Sequence, residues 1–140
     1  MARQLPRSRY ALLVRTDFTD EQSWDEVFLA ARAPDVDGYS AQLTGVGMAA
    51  FDGAHWEIVR DAVPDDPNGS AVVFIVDAET IRTPSRPILV ASLGPDRAGQ
   101  RPFRCVPSAV ASVENNLNTG NMDWLDFVSA VGADGVFTRF

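Results

Sequence analysis

Six consecutive residues, Ala71 to Val76 (AVVFIV), carry no polar side chain. Val and Ile are β-branched and suit extended backbone. A strand that alternates apolar and polar residues can leave one face in water, but one that is apolar at every position must be covered on both faces. Such a segment belongs in the middle of a sheet with structure layered on each side. The turn-forming PDDPNGS at 64–70 precedes it and Asp77 ends it. A chain of 140 residues has the length of one domain, enough for one sandwich of this kind.

The other segments fall into place around that strand. Tyr10 to Val14 (YALLV) reads as a second buried strand, followed by Arg15-Thr16-Asp17 at its carboxyl end. Thr19 and Gln22 have capping-box spacing, with Asp20 and Glu21 at the positive start of a helix. Trp24, Val27, Phe28 and Ala31 then recur at helical spacing, and the helix stops at Arg32 before Pro34. Residues 39–46 alternate as a strand with one wet face, and 54–62 read as a short helix with Trp56, Val59 and Val63 inward. Ala78–Arg82 reads as a short helix, and 88–106 as a hairpin of Ile88–Leu93 and Phe103–Val106. VFTRF closes the chain as an edge strand. The order β-α-β-(α)-β-(α)-β-β-α-α-(β) predicts an α/β single-domain sandwich with a mixed, partly parallel sheet and helices packed on it, α+β being the near alternative. Residues 1–9 are expected to form a flexible N-terminal arm and 10–140 a single globular domain.

Between the hairpin and the last strand lies the most polar run, Val106 to Val131 (VPSAVASVENNLNTGNMDWLDFVSAV). It reads as two helices meeting at an elbow. Val110, Val113 and Leu117 form the inner stripe of the first, with Ser108 as its N-cap and Gly120 at its left-handed end. Asn121 is placed to cap the second, whose Trp124, Leu125, Val128 and Val131 are expected inward.

Composition removes several chemistries. All 12 basic residues are arginine, so there is no lysine for a Schiff base or a phosphate loop. One cysteine excludes an internal disulfide, and one histidine leaves no zinc cluster, so no metal and no cofactor is expected. The net charge of −7 argues against nucleic acid, even though Arg3, Arg7 and Arg9 make the arm basic. No apolar leader or membrane-length apolar run appears, which points to a cytoplasmic, soluble protein without a membrane role.

Four candidate sites follow. Gly45-x-Gly47-x-x-Ala50 matches the dinucleotide fingerprint in letters, but Gly53 interrupts where the phosphate-binding helix should run, so a glycine-containing loop is the better reading. Cys105 and His55 could pair as nucleophile and base, against the plainer reading of Cys105 in FRCVP as core. Asp17 and Asp77 both end strands, where ligands bind in open α/β sheets; if the strands are parallel neighbours the carboxylates could share a divalent cation or act in catalysis. The plain alternative is that Asp17 starts the next helix and Asp77 caps a turn. Lastly, Glu114, Asn118 and Asn121, with Asn115 beside them, offer one carboxylate and several amides, enough to orient a polar ligand, with Glu114 as a base. The structural alternative is that these side chains tie the elbow together.

Leu12–Phe18 (LLVRTDF), Val72–Asp77 and the Val106–Phe137 tail with its VPS, ENNL, NMD and DGVF segments resemble an uncharacterised family of short actinobacterial proteins, a domain of unknown function. Trp124 stands where the resemblance leads one to expect Phe, Thr119-Gly120 replaces a less flexible pair, and 39–62 matches poorly. The resemblance implies a stand-alone cytoplasmic domain and supplies no activity. Two functions remain open. One is an acidic binding or accessory module that docks on a protein partner, an immunity-type inhibitor of a basic toxin being one version. The other is a cofactor-free enzyme (isomerase, cyclase or dehydratase type) acting on a small polar molecule. A homodimer through the C-terminal strand is a further expectation.

Overall fold

The computed structural model describes residues 4–140; Arg3 of the expected basic arm lies outside them. Six strands form one sheet: β1 (Ala11–Arg15), β2 (Leu43–Val46), β3 (Val72–Val76), β4 (Ile88–Ser92), β5 (Phe103–Cys105) and β6 (Val136–Phe137). Their order across the sheet is β2-β1-β3-β4-β5-β6. β1 is parallel to both β2 and β3, β4 is antiparallel to β3 and β5, and β6 is parallel to β5. The helices are α1 (Glu21–Arg32), α2 (Trp56–Ala62), α3 (Ala78–Arg82), α4 (Val110–Asn118) and α5 (Trp124–Val128). The protein is thus a mixed α/β sandwich, with the element order its apolar spacing predicts.

The period-two alternation of the strands splits the core in two. Ala11, Leu13, Val72, Phe74, Ile88, Phe103 and Cys105 face α1, α4 and α5, where Val27, Val113 and Phe127 meet them. Leu12, Val14, Val73, Ile75 and Leu89 face the other way, against Phe51, Val59 and Ala62 on and around α2. All five β3 side chains are buried, as a strand covered on both faces requires. Each layer is small, so the sheet's centre depends on both.

Local chemistry moves several boundaries. The cap of α1 is Asp20, whose carboxylate accepts the Ser23 N–H and O–H, rather than the Thr19–Gln22 box; Thr19 instead bonds Asp17. β2 begins at Leu43, because the Asp35 carboxylate accepts from the Asp37 and Tyr39 N–H groups and rolls 35–39 into a turn, with Gly38 at φ 85°. Ser108 is not a cap: Pro107–Ala109 forms a 3₁₀ turn leading straight into α4. Asp123, not Asn121, is the cap position of α5, and its N–H donates to the Asp126 carboxylate at 2.8 Å. α5 ends at Val128, and its inward residues are Trp124 and Phe127, while Leu125 is 70% exposed. Nor does the whole arm stand free. Leu5 is buried beside α2 and its N–H donates to the Ala62 carbonyl, while the Ser8 and Thr44 hydroxyls bond at 2.8 Å.

The glycine fingerprint is a loop. Residues after Gly47 form only a 3₁₀ turn, Ala49–Phe51, too short to present a helix start to a pyrophosphate. Gly45 matters for packing instead, since a Cβ there would meet the Phe28 ring at 2.5 Å and push that ring aside. Among the described residues no helix is long and apolar enough to cross a membrane.

Candidate functional site

The polar elbow is held by its own amides. Asn118 Oδ1 accepts from the Ala71 N–H at 2.7 Å and from the Ser70 hydroxyl at 3.2 Å, fastening the end of α4 to the start of β3. Asn116 Nδ2 donates to the Ser112 carbonyl at 2.9 Å, and its Oδ1 accepts from Asn121 Nδ2 at 2.9 Å across the turn. The Asn115 carbonyl accepts from both the backbone and the hydroxyl of Thr119, while its side chain is exposed. Thr119 thereby satisfies an orphan carbonyl at the end of α4, while the amides tie the turn to itself and to the start of β3. Asn118→Ala is therefore expected to lower stability by about 1 kcal/mol or less in urea unfolding, the worth of hydrogen bonds at an exposed site.

Glu114 sits half-buried on the same helix. Burial raises its pKa above 4.5, and the Asn118 side chain and the Gln42 backbone pull it only partly back. A carboxyl with a raised folded pKa is costly when ionised, so the fold loses stability as pH climbs through that value. Glu114→Gln should accordingly raise the melting temperature at neutral pH, with the gain vanishing as pH falls to the unfolded value of 4.5. A gain that persists in acid would mean that packing, not ionisation, is responsible.

A cavity lies elsewhere, where the sheet topology directs it. From β1 the chain crosses through α1 to β2 on one side, then returns through α2 to β3 on the other. The carboxyl ends of β1 and β3 form the switch point, and open α/β sheets bind ligands in the crevice there. The cleft at this point has a volume near 650 Å³ and is lined by Thr16 and Asp17 after β1, Asp77, Glu79 and Arg82 after β3, and Asp52, His55 and Trp56 before and on α2. Arg104 of β5 completes it. β1 and β3 are parallel neighbours, which brings Asp17 and Asp77 to the same cleft; Glu114, Asn115, Asn118 and Asn121 do not line it.

Arg104 changes what Asp77 can do. Its guanidinium grips both Asp77 oxygens, at 2.8 and 2.9 Å, and its Nε reaches Glu79 at 2.6 Å. Burial would raise the Asp77 pKa, but the bonds and charge of Arg104, with the Thr80 N–H and hydroxyl, outweigh it and hold the carboxyl below 3.8. The same pair drives Arg104 above its ordinary value against a burial effect that would lower it. Asp77 also caps α3 through Thr80. Both of its oxygens accept from Arg104, so its charge is already met by a cation of the chain itself. Among the described residues no three Asp, Glu, His or Cys groups gather as metal ligands.

Asp17 is freer. Its Oδ1 accepts from the Thr19 N–H and hydroxyl, and its Oδ2 has no hydrogen-bond partner among the described residues. His55 caps α2 weakly, through Nδ1 to the Glu57 N–H at 3.4 Å, with the ring exposed. It cannot partner Cys105, which is fully buried on the opposite face of the sheet, where desolvation pushes the thiol pKa up and keeps it inert.

Sequence reasoning passed over Arg104, Asp52, Glu79 and Arg82. One signal was present: a strand written Phe103-Arg104-Cys105 puts a lone cation on the face opposite two core residues, and a half-buried cation needs a carboxylate.

A family model described as Domain of unknown function (DUF6924) matches residues 10–140. No curated protein matches the chain. The chain belongs to the DUF6924 family.

Proposed function

We propose that this member of the DUF6924 family is a binding module that docks in the cytoplasm on a basic protein partner and takes an arginine or lysine side chain into the strand-end cleft. The observation that carries this is the charge left over there. Four carboxylates, Asp17, Asp52, Asp77 and Glu79, face two arginines, and Arg104 is already neutralised by Asp77 and Glu79. Asp17 and Asp52 remain against Arg82, with the Trp56 ring as an apolar wall. A net charge of −7 would steer a basic partner toward such a surface.

Calorimetric titration with a short arginine-rich peptide tests it. Asp17→Asn combined with Asp52→Asn should weaken binding about tenfold and flatten its salt dependence. Asp37→Asn, on an exposed loop outside the cleft, should change little. Equal loss from Asp37→Asn would reduce the effect to overall charge and end the proposal.

The cavity volume also suits a cofactor-free enzyme acting on a small polar molecule, with the unpaired oxygen of Asp17 as base. Agmatine separates the two: a free guanidine that saturates the cleft as tightly as the peptide favours the small-molecule alternative.

A further inference from the structure

A second hollow, near 290 Å³, lies at the other end of the sheet, by the amino ends of β1 and β3. Its floor and walls are apolar: Leu12, Val63, Pro64, Val72, Val73 and Leu93. The N-terminal strap passes over it, fixed by Leu5 on one side and Ser8 on the other, so that Pro6 and Arg7 bridge the gap. The opposite rim is the 64–70 turn, closed by its own bonds from the Asn68 N–H to Asp66 Oδ1 and from the Gly69 N–H to the Asp66 carbonyl. Neither rim needs the other to keep its shape. The hollow is therefore pre-formed, as ligand sites are, and its volume falls at the small end of their range, roughly 300 Å³ upward.

Its polar lining is two arginines, Arg7 and Arg97, two carboxylates, Asp65 and Asp66, and the hydroxyls of Ser8, Tyr10 and Ser70. The Ser8 and Ser70 hydroxyls are engaged with Thr44 and Asn118, and Asp66 Oδ1 is held in the turn. Asp65 meets Arg97 at 3.5 Å, but the carboxylate is 95% exposed and the arginine 33%, so the cation is held down in the hollow and the anion stands in water. Arg7 has no ion-pair partner among the described residues, and the Tyr10 hydroxyl accepts or donates no hydrogen bond there. Asp65 and Asp66 stand exposed at the rim, so what lies nearest the apolar floor to meet a ligand is donors: the half-buried Arg97, with Arg7 and the Tyr10 phenol beside it. From this combination we propose a binding site for a small apolar carboxylic acid, its chain on Leu12, Val63, Val73 and Leu93 and its carboxylate at Arg97 and Arg7. It is separate from the strand-end cleft and stands whether or not a basic partner docks there.

Octanoate titrated into the full chain, followed by amide chemical shifts and calorimetry, is the test. Saturable binding with shifts centred on Leu12, Val63, Gly69 and Val72 is expected. Arg97→Gln should weaken octanoate about tenfold, the scale of a charge-assisted hydrogen bond, and leave octanamide unchanged. Leu93→Phe, at a half-buried wall position, should abolish both while an unchanged melting temperature shows the fold intact. If Leu93→Phe unfolds the protein, the Arg97→Gln comparison decides alone. No saturation at millimolar octanoate, shifts centred on the strand-end cleft, or equal effects of Arg97→Gln on acid and amide would each overturn the proposal.

Discussion

Phe127→Ala is expected to cost about 3–5 kcal/mol in urea unfolding, whereas Leu125→Ala, on the same short helix, stays within about 0.5 kcal/mol. Phe127 is fully buried and is the hub of an aromatic cluster. Its ring stacks on Phe103 with centroids 5.8 Å apart, and meets Phe137 at 5.0 Å and Phe140 at 5.1 Å. Through those contacts α5 holds β5 and the edge strand β6, so the cavity left by alanine opens between three elements rather than within one. A domain of this size has about 5–15 kcal/mol in hand, and the substitution would remove a large share of it. Leu125 makes the comparison sharp because it is as apolar as a core residue and only two positions away, yet 70% of it is in water. Comparable losses from both would mean that α5 is rotated from the orientation described.

That contrast also shows where a sequence stops being informative. α1 has twelve residues, so Trp24, Val27 and Ala31 span enough turns to fix which side is buried. α5 has five, and WLDFV allows more than one inward face until the Asp123–Asp126 cap sets its start. β3 was readable because every side chain is apolar, and with it the two-layered sandwich. Leu5 was not, since a single leucine among Gln4, Pro6 and Arg7 has no period, and only the groove beside α2 explains its burial. The elbow amides were readable as residue types but not as roles. The same Asn118 could face a ligand or the Ala71 N–H, and the difference lies in how α4 packs across the start of β3. Asp17 and Asp77 were placed by a rule about strand ends. Their companions come from α2, α3 and β5, and no local spacing brings Arg104 to Asp77 across 27 positions; β4, paired between β3 and β5, does.

Asp77→Ala should therefore be the most costly substitution in the cleft, at about 2–4 kcal/mol. Its side chain is 26% exposed and that of Arg104 19%, so water screens the pair only in part. Alanine removes the bidentate partner of a half-buried guanidinium and the cap of α3 together; Glu79, still within reach of Arg104 Nε, keeps the loss below that of a fully stranded charge. Arg104→Met should cost less, because it leaves Asp77 bonded to Thr80 and able to take up a proton or water. In the double variant much of the Asp77→Ala loss should return, since no unpaired cation remains. The pH dependence follows from the depressed pKa of Asp77. Its contribution is whole above the unfolded value of 3.8 and drains away as pH falls through the lower folded value. Wild type should thus lose stability in that acid window faster than Asp77→Ala, and the two unfolding curves should converge there. A gap that stays constant into acid would assign the loss to packing, and would leave the ionised Asp77 carboxylate, in its bonds to Arg104 and Thr80 alike, with no part in holding the cleft.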